Sequence, residues 1–277
     1  MYKADEEMDC LSVLESIHHS EAAEGCVISI TGGEPFLKSG IVDFIVRAVN
    51  DNVHIHRVSV TTNGFFTDKI REVCTKVINK DRLLVNVSID GFETTHERIR
   101  KLKGIYTKAL ESIKVLSEAG IRVEVNNVIQ PDNLKDIELL KSRVDRLGSN
   151  VVFTPQPLVA AISQNDQFCY TDKQIAYTLP FLRAQNDIYY MLTKGNAIIE
   201  NCHAGISNML IDPVGKVFPC AFSLGYTDDI RNEYIMGNIK SDTIDAIVNS
   251  DAYNWVIINK VKKCDGCYMT CDSAREH

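Results

Sequence analysis

Between residues 26 and 157 short β-branched runs alternate with amphipathic segments, and this alternation restricts the fold more than any other feature of the chain. Strands are predicted near 26–31, 57–62, 83–89, 122–129 and 150–155, with helices near 40–51, 67–79, 105–119 and 133–148. Strand, helix, strand in strict succession builds a parallel sheet through right-handed crossovers, and such a sheet can curl into a full or partial barrel. The punctuation agrees. Gly120 follows the helix ending Glu118-Ala119 as a C′ residue, and Gln130-Pro131-Asp132-Asn133 breaks the fourth strand before the next helix.

In folds of this kind ligands meet the carboxyl ends of the strands. Those positions are polar here: Thr31-Gly32-Gly33-Glu34-Pro35, Thr62-Asn63-Gly64, Ser88-Ile89-Asp90-Gly91, Asn126-Asn127 with Gln130, and Gln156. Asn-Gly and Asp-Gly are good turn formers in their own right. Five such segments in corresponding positions converge amide, hydroxyl and carboxylate groups on one rim.

Beyond the alternating region a helix is predicted over 172–194, kinked at Pro180, as a connector. Residues 209–218 read as a β-hairpin that delivers Cys220, and 241–260 as a helix capped by Ser241 or Asp242 that leads into Cys264-Asp265-Gly266-Cys267. Five of the nine cysteines fall here, spaced C-x17-C-x43-C-x2-C for Cys202, Cys220, Cys264 and Cys267, with Cys271 further on. A CxxC turn aims two thiolates at one metal, which suits zinc or an iron–sulfur cluster. Disulfides fit less well, because the count is odd and no signal peptide is present, a pattern that points to a reducing cytosol. Cys10, Cys26, Cys74 and Cys169 sit singly in apolar or amphipathic segments and read as small hydrophobes.

With 45 % hydrophobic and 24 % charged residues the chain can bury a sizeable core, and its length suggests about two domains. The net charge is -7 and no lysine or arginine run forms a basic stripe, which argues against a nucleic-acid partner. The apolar runs are much shorter than the roughly 20 residues that span a bilayer, so no membrane is expected. The expected location is cytoplasmic.

The order Gly32-Gly33-Glu34-Pro35, Thr62-Asn63-Gly64, Ser88-Ile89-Asp90-Gly91 with His96-Glu97 and Arg100, then a cysteine-rich tail, resembles the radical S-adenosylmethionine (AdoMet) superfamily. The tail resembles its SPASM/Twitch extension. The resemblance implies a partial (β/α)6 barrel, here without its first strand, followed by a small C-terminal cysteine-rich α+β domain. Domains are accordingly expected over 1–157 (barrel), 158–201 (helical connector) and 202–277 (iron–sulfur domain). It implies that Gly32, Gly33 and Glu34 hold the AdoMet amino group, with Pro35 fixing the loop, and that Ser88 and Arg100 contact its carboxylate. Arg100 also reads as a solvated helix charge. Thr62, Asn63, Asp90, Asn127 and Gln156 are placed on the cavity rim, and His96 caps or packs locally.

The same resemblance assigns one auxiliary 4Fe-4S cluster to Cys202, Cys220, Cys264 and Cys267. Cys271 is a substitute ligand, a spare thiolate or an inert terminal residue. In the family a CxxxCxxC loop precedes the GGEP strand and holds the catalytic cluster. Only Cys10 lies before residue 26 here, so the expectation is an N-terminally truncated sequence, with that loop encoded in frame upstream, or a degenerate scaffold. The intact enzyme would abstract hydrogen from a peptide, protein or small-molecule substrate, with a flavodoxin or ferredoxin as electron donor; peptide or protein maturation comes first. The rival is a non-catalytic peptide-binding barrel with a structural zinc or iron–sulfur tail.

Overall fold

The computed structural model describes residues 6–157, 171–178, 180, 203–221, 223 and 228–264. The described residues fall into two compact units, one drawn from Gly25–Gly195 and the other from Met1–Glu24 together with Asn196–His277.

The first unit is a five-stranded parallel sheet of order β1-β2-β3-β4-β5, with β1 Cys26–Ile30, β2 Ile55–Thr62, β3 Leu83–Ser88, β4 Arg122–Ile129 and β5 Val151–Pro157. All five coincide with predicted strands to within two residues. Helices α2 Ile41–Asn50, α3 Thr67–Lys76, α4 Glu93–Arg100, α5 Ile105–Glu118 and α6 Ile137–Val144 make the crossovers; α1 Cys10–His18 belongs to the other unit.

The two faces of the sheet differ in chemistry. Val58 and Val60 of β2, Val85 and Val87 of β3, and Val123 and Val125 of β4 are all buried. Val60, Leu83 and Val85 meet Ile45 of α2, Ile70 and Val73 of α3, and Leu116 of α5 around one apolar seam. Each such valine contributes roughly 1.5 to 3 kcal/mol by leaving water. The alternate residues stand on the opposite face, because side chains along a strand change sides at every step. At Gly64, just beyond β2, a Cβ would lie 2.8 Å from the Ala109 Cα, so glycine is what lets α5 approach the strand end.

The second unit contains α1 Cys10–His18, capped by the Asp9 carboxylate on the Leu11 N–H, and a three-stranded antiparallel sheet of β6 Leu210–Ile211, β7 Lys216–Phe218 and β8 Gly237–Asn238. The predicted hairpin is β6–β7. Residues 6–24 group with this unit, although the expected barrel domain was drawn over 1–157. The Met8 N–H donates to the Pro213 carbonyl, the Ala22 N–H to Asp245, and Lys240 to the Glu6 carbonyl, and these bonds tie the segment to the β6–β7 turn, the residues after β8 and the helix Ile244–Val248.

The single helix expected over 241–260 is divided. Thr243, not Ser241 or Asp242, caps Ile244–Val248; Ser250 then caps a new helix, Asp251–Val256, which passes into a π-helical turn, Ile257–Val261. A serine hydroxyl that accepts from the N–H three residues on starts a helix wherever it stands, and Ser250 does so in the middle of the predicted one. Of the expected connector, Asp172–Thr178 is helical, and residues 181–194 lie outside the described residues. Among the described residues no helix is long and apolar enough to cross a membrane.

Candidate cofactor site

Glu34 is the centre of the first cluster at the strand ends. Its Oε1 accepts from the Phe36 N–H at 3.1 Å and from the Thr62 hydroxyl at 2.8 Å, and its Oε2 accepts from the Asn63 N–H at 2.7 Å. The carboxylate thereby caps the short 3-10 turn Pro35–Leu37 and joins the β1 exit to the β2 exit. Thr62 is buried and also accepts from the Gly64 N–H, while the Asn63 side chain accepts from the Phe65 N–H. Both therefore shape the loop, where a ligand-facing rim position was expected. A carboxylate offers about four lone-pair sites, so one on Oε2 is left for a donor from outside the chain. Gly32 has φ +141°, which only glycine adopts readily, and a Cβ on Gly32 or Gly33 would meet nothing within 4 Å. The loop backbone is open to a ligand.

The second cluster lies beyond β3. Asp90 is buried, and each of its polar groups is engaged: Oδ1 accepts from the Val128 N–H, Oδ2 from Arg100 Nε at 2.6 Å, its N–H donates to His96 Nδ1, and its carbonyl accepts from the Asn133 amide. Asn127 is buried as well and donates to the Ile89 carbonyl, while its Oδ1 has no partner among the described residues. Asp90 and Asn127 thus lie beneath the expected rim, not on it. Arg100 is paired and not merely a solvated charge.

His96 packs locally, as expected. Burial pushes its pKa down to about 4, with Arg100 lowering it further and Asp90 and Glu97 opposing. The ring is neutral at pH 7, so its 3.9 Å approach to the Asp90 carboxylate is not an ion pair. An unfolded histidine titrates near 6.5. Between those values the unfolded chain binds a proton that the folded one refuses, so stability is full above about pH 6.5 and falls as pH drops toward 4, by about 3 kcal/mol. Urea titrations at pH 7.5 and 4.5 should show this loss, and His96→Asn, which keeps an acceptor for the Asp90 N–H, should remove that part of it.

The third group stands on the sheet face away from the helices. Ser88, Asn126 and Thr154 are in register across β3, β4 and β5, and Thr61, Asn86 and Glu124 form a row beneath them. Asn86 donates to Ser59 at 2.8 Å, and Arg122 pairs with Glu124 at 3.0 Å. Thr154 is 5 % exposed and its hydroxyl has no partner among the described residues. Ser88 falls in this row, and Gln156 faces the same way through its pairing with Val128. Thr61, Asn86, Asn126 and Thr154 were not singled out as ligands from the sequence. The parity of each strand, taken from its valines, is the signal that finds them.

Of the tail cysteines only Cys220 and Cys264 lie among the described residues; Cys202, Cys267 and Cys271 lie outside them. Cys220 follows β7 and is half-buried, while Cys264 follows the π-helical turn and is exposed. Among the described residues no group of three metal-ligating side chains occurs. Burial pushes the Cys74 thiol up to about 11 and raises that of Cys26, so both remain protonated and unreactive.

The chain matches the radical SAM superfamily over residues 4–143, half of its length, and SPASM, an iron–sulfur cluster-binding domain, over residues 202–271. It belongs to the radical SAM superfamily. It is 25 % identical over 232 residues to the antilisterial bacteriocin subtilosin biosynthesis protein AlbA of Bacillus subtilis, covering 80 % of this chain and 48 % of AlbA. It is 25 % identical over 246 residues to the mycofactocin maturase MftC of Mycolicibacterium smegmatis, covering 84 % and 59 %. This radical SAM chain therefore spans about half the length of the curated relatives it matches. Its fold is similar to that of Streptococcus suis SuiB bound to the precursor peptide SuiA, with TM-score 0.65 and 15 % identity over 90 % of this chain and 60 % of SuiB. SuiB has also been solved with S-adenosylmethionine, and that structure superposes with TM-score 0.64 at 14 % identity over 95 % of this chain and 66 % of SuiB.

The radical SAM and SPASM matches carry two cofactors, AdoMet and 4Fe-4S clusters. The residues present suit the first. Glu34 keeps a lone pair for an ammonium, the Gly32-Gly33 backbone is open, and the Thr154 hydroxyl lacks a partner on a polar face. For the cluster the donor set is right, since thiolates are the ligands that iron–sulfur centres take.

Proposed function

We propose that this chain is the AdoMet-binding and auxiliary-cluster part of a radical SAM maturase that modifies a peptide or protein. The observation that carries the reading is the SPASM match, which opens on Cys202 and closes on Cys271 and so takes in all five tail cysteines, after the radical SAM match in the sequence. AlbA, MftC and the sporulation killing factor maturation protein SkfB of Bacillus subtilis, which is 34 % identical over 118 residues, covering 42 % of this chain and 27 % of SkfB, are named for biosynthesis or maturation, and SuiB was solved with its precursor peptide.

In this reading Gly32, Gly33 and Glu34 hold the AdoMet amino group: glycines admit the backbone and the carboxylate pairs with the ammonium. Pro35 fixes the loop. Ser88 and Arg100 meet the carboxylate, and the Ser88, Asn126, Thr154 row faces the rest of the cofactor or the substrate. Cys202, Cys220, Cys264 and Cys267 hold one auxiliary 4Fe-4S cluster, with Cys271 beside it. When bound, AdoMet would supply the hydrogen-atom abstraction, chemistry that belongs to the cofactor. The chain's own residues bind, orient and exclude water.

The test uses the gene product that contains this chain, reconstituted anaerobically with iron, sulfide, AdoMet and a flavodoxin or chemical reductant. Incubation with the product of a small reading frame beside its gene should yield a peptide of altered mass and 5′-deoxyadenosine in step with it. Turnover of AdoMet on a small molecule while every such peptide returns unchanged would replace peptide maturation by small-molecule oxidation. A colourless protein that binds peptide without cleaving AdoMet would establish the binding-protein rival.

A further inference from the structure

The Arg100 guanidinium is anchored by one of its five N–H groups: Nε donates to Asp90 Oδ2 at 2.6 Å, and Nη1 and Nη2 have no partner among the described residues. The Asp90 side chain is 3 % exposed, whereas that of Arg100 is 31 % exposed. A buried carboxylate therefore holds the inner edge of a guanidinium whose outer edge is open. Asp90 is itself immobilised from three elements, by the Val128 N–H of β4 through Oδ1, by the neutral His96 ring of α4 through its own N–H, and by the Asn133 amide through its carbonyl. Four donors on a planar fork remain for an acceptor of matching geometry, and a carboxylate accepts two in parallel.

We infer that Asp90 is a positioning residue that acts through Arg100, fixing the guanidinium so that its Nη edge grips the carboxylate of the cofactor's amino-acid end. The inference rests on the reading above that Arg100 meets that carboxylate, and it assigns Asp90 a role the rim placement did not. Asp90 touches no ligand. Its effect is to remove the rotamer freedom that a partly exposed arginine would otherwise lose on binding.

The experiment separates the two claims with a ligand pair. S-Adenosylhomocysteine carries the amino acid and 5′-methylthioadenosine lacks it, so the ratio of their affinities by calorimetry reads the amino-acid end alone. Wild type should favour S-adenosylhomocysteine. Arg100→Gln should lower its affinity about tenfold or more and leave 5′-methylthioadenosine unchanged, since a hydrogen bond to a charged group is lost. Asp90→Asn offers one amide oxygen to two donors, Arg100 Nε and the Val128 N–H, so it removes the charge and one of the two bonds that hold the pair and should cost a similar factor, and it should cost nothing further when Arg100 is already Gln. Arg100→Lys keeps the charge beside Asp90 but not the fork, and should also lose the preference; it stands in should Asp90→Asn not fold. If wild type does not discriminate between the ligands, the reading of Arg100 falls and the inference with it. If Arg100→Gln loses the preference while Asp90→Asn retains it, or if the two substitutions add, the site stands and the positioning role of Asp90 is overturned.

Discussion

Cys264→Ala, reconstituted anaerobically, is expected to take up almost no iron, where the unaltered chain takes up roughly four iron and four sulfide for one cluster. The effect is large because a cluster depends on its full set of thiolates, and because the free energy of metal binding is also free energy of folding for the segment that wraps it. Cys264 follows the π-helical turn Ile257–Val261 and is exposed, so alanine removes the proposed ligand without opening a hole in a core. Cys74→Ser, which alters a thiol kept protonated by burial, serves as the control and should leave iron content unchanged. Uptake of one zinc per chain and no iron would end the auxiliary-cluster assignment.

The second large effect is at Glu34. Alanine there should weaken AdoMet binding about tenfold to a hundredfold, the consequence of removing a hydrogen bond between charged groups. The structure adds a second cost. The same carboxylate holds the Phe36 N–H, the Thr62 hydroxyl and the Asn63 N–H, so its loss also releases the turn Pro35–Leu37 from the end of β2. Glu34→Gln tells the two apart: one amide oxygen can still serve Phe36 and Thr62, but its NH2 group then faces the Asn63 N–H. Equilibrium unfolding should show Glu34→Gln between wild type and Glu34→Ala, and AdoMet affinity should follow the charge and fall in both. Affinity within twofold of wild type in either variant would make Glu34 a purely structural cap.

The strands were legible because β-branched runs bounded by turn residues have few other uses, and all five lie where the pattern puts them. Which side chains of a strand end face a ligand was less legible. Position along the sequence favours Asn127 as readily as Asn126, yet Asn127 shares parity with the buried Val123 and Val125 and turns toward the helices, leaving Asn126 beside Ser88 and Thr154. Asp90 misled for a different reason. A carboxylate after a strand looks like a ligand, and its burial depends on Arg100, Val128 and Asn133, partners up to 43 residues away. The grouping of residues 6–24 with the C-terminal unit was beyond reach, since the bonds that draw them to Lys240 and Asp245 join positions more than 200 apart. The break at Ser250 was readable as a cap, but the apolar periodicity on either side of it concealed the stop.

A sheet with apolar anchoring on one side and polar side chains on the other separates what keeps it folded from what it recognises. The valines of β2, β3 and β4 hold the strands against α2, α3 and α5, and no residue of the Ser88, Asn126, Thr154 row takes part in that packing. Exchanges at the half-buried Ser88, Asn126 and Thr61 change the polar surface at little cost in stability, whereas Asn86 and Thr154 are buried and exchanges there cost more. The polar face can thus change one hydroxyl or amide at a time while the framework that presents it stays fixed.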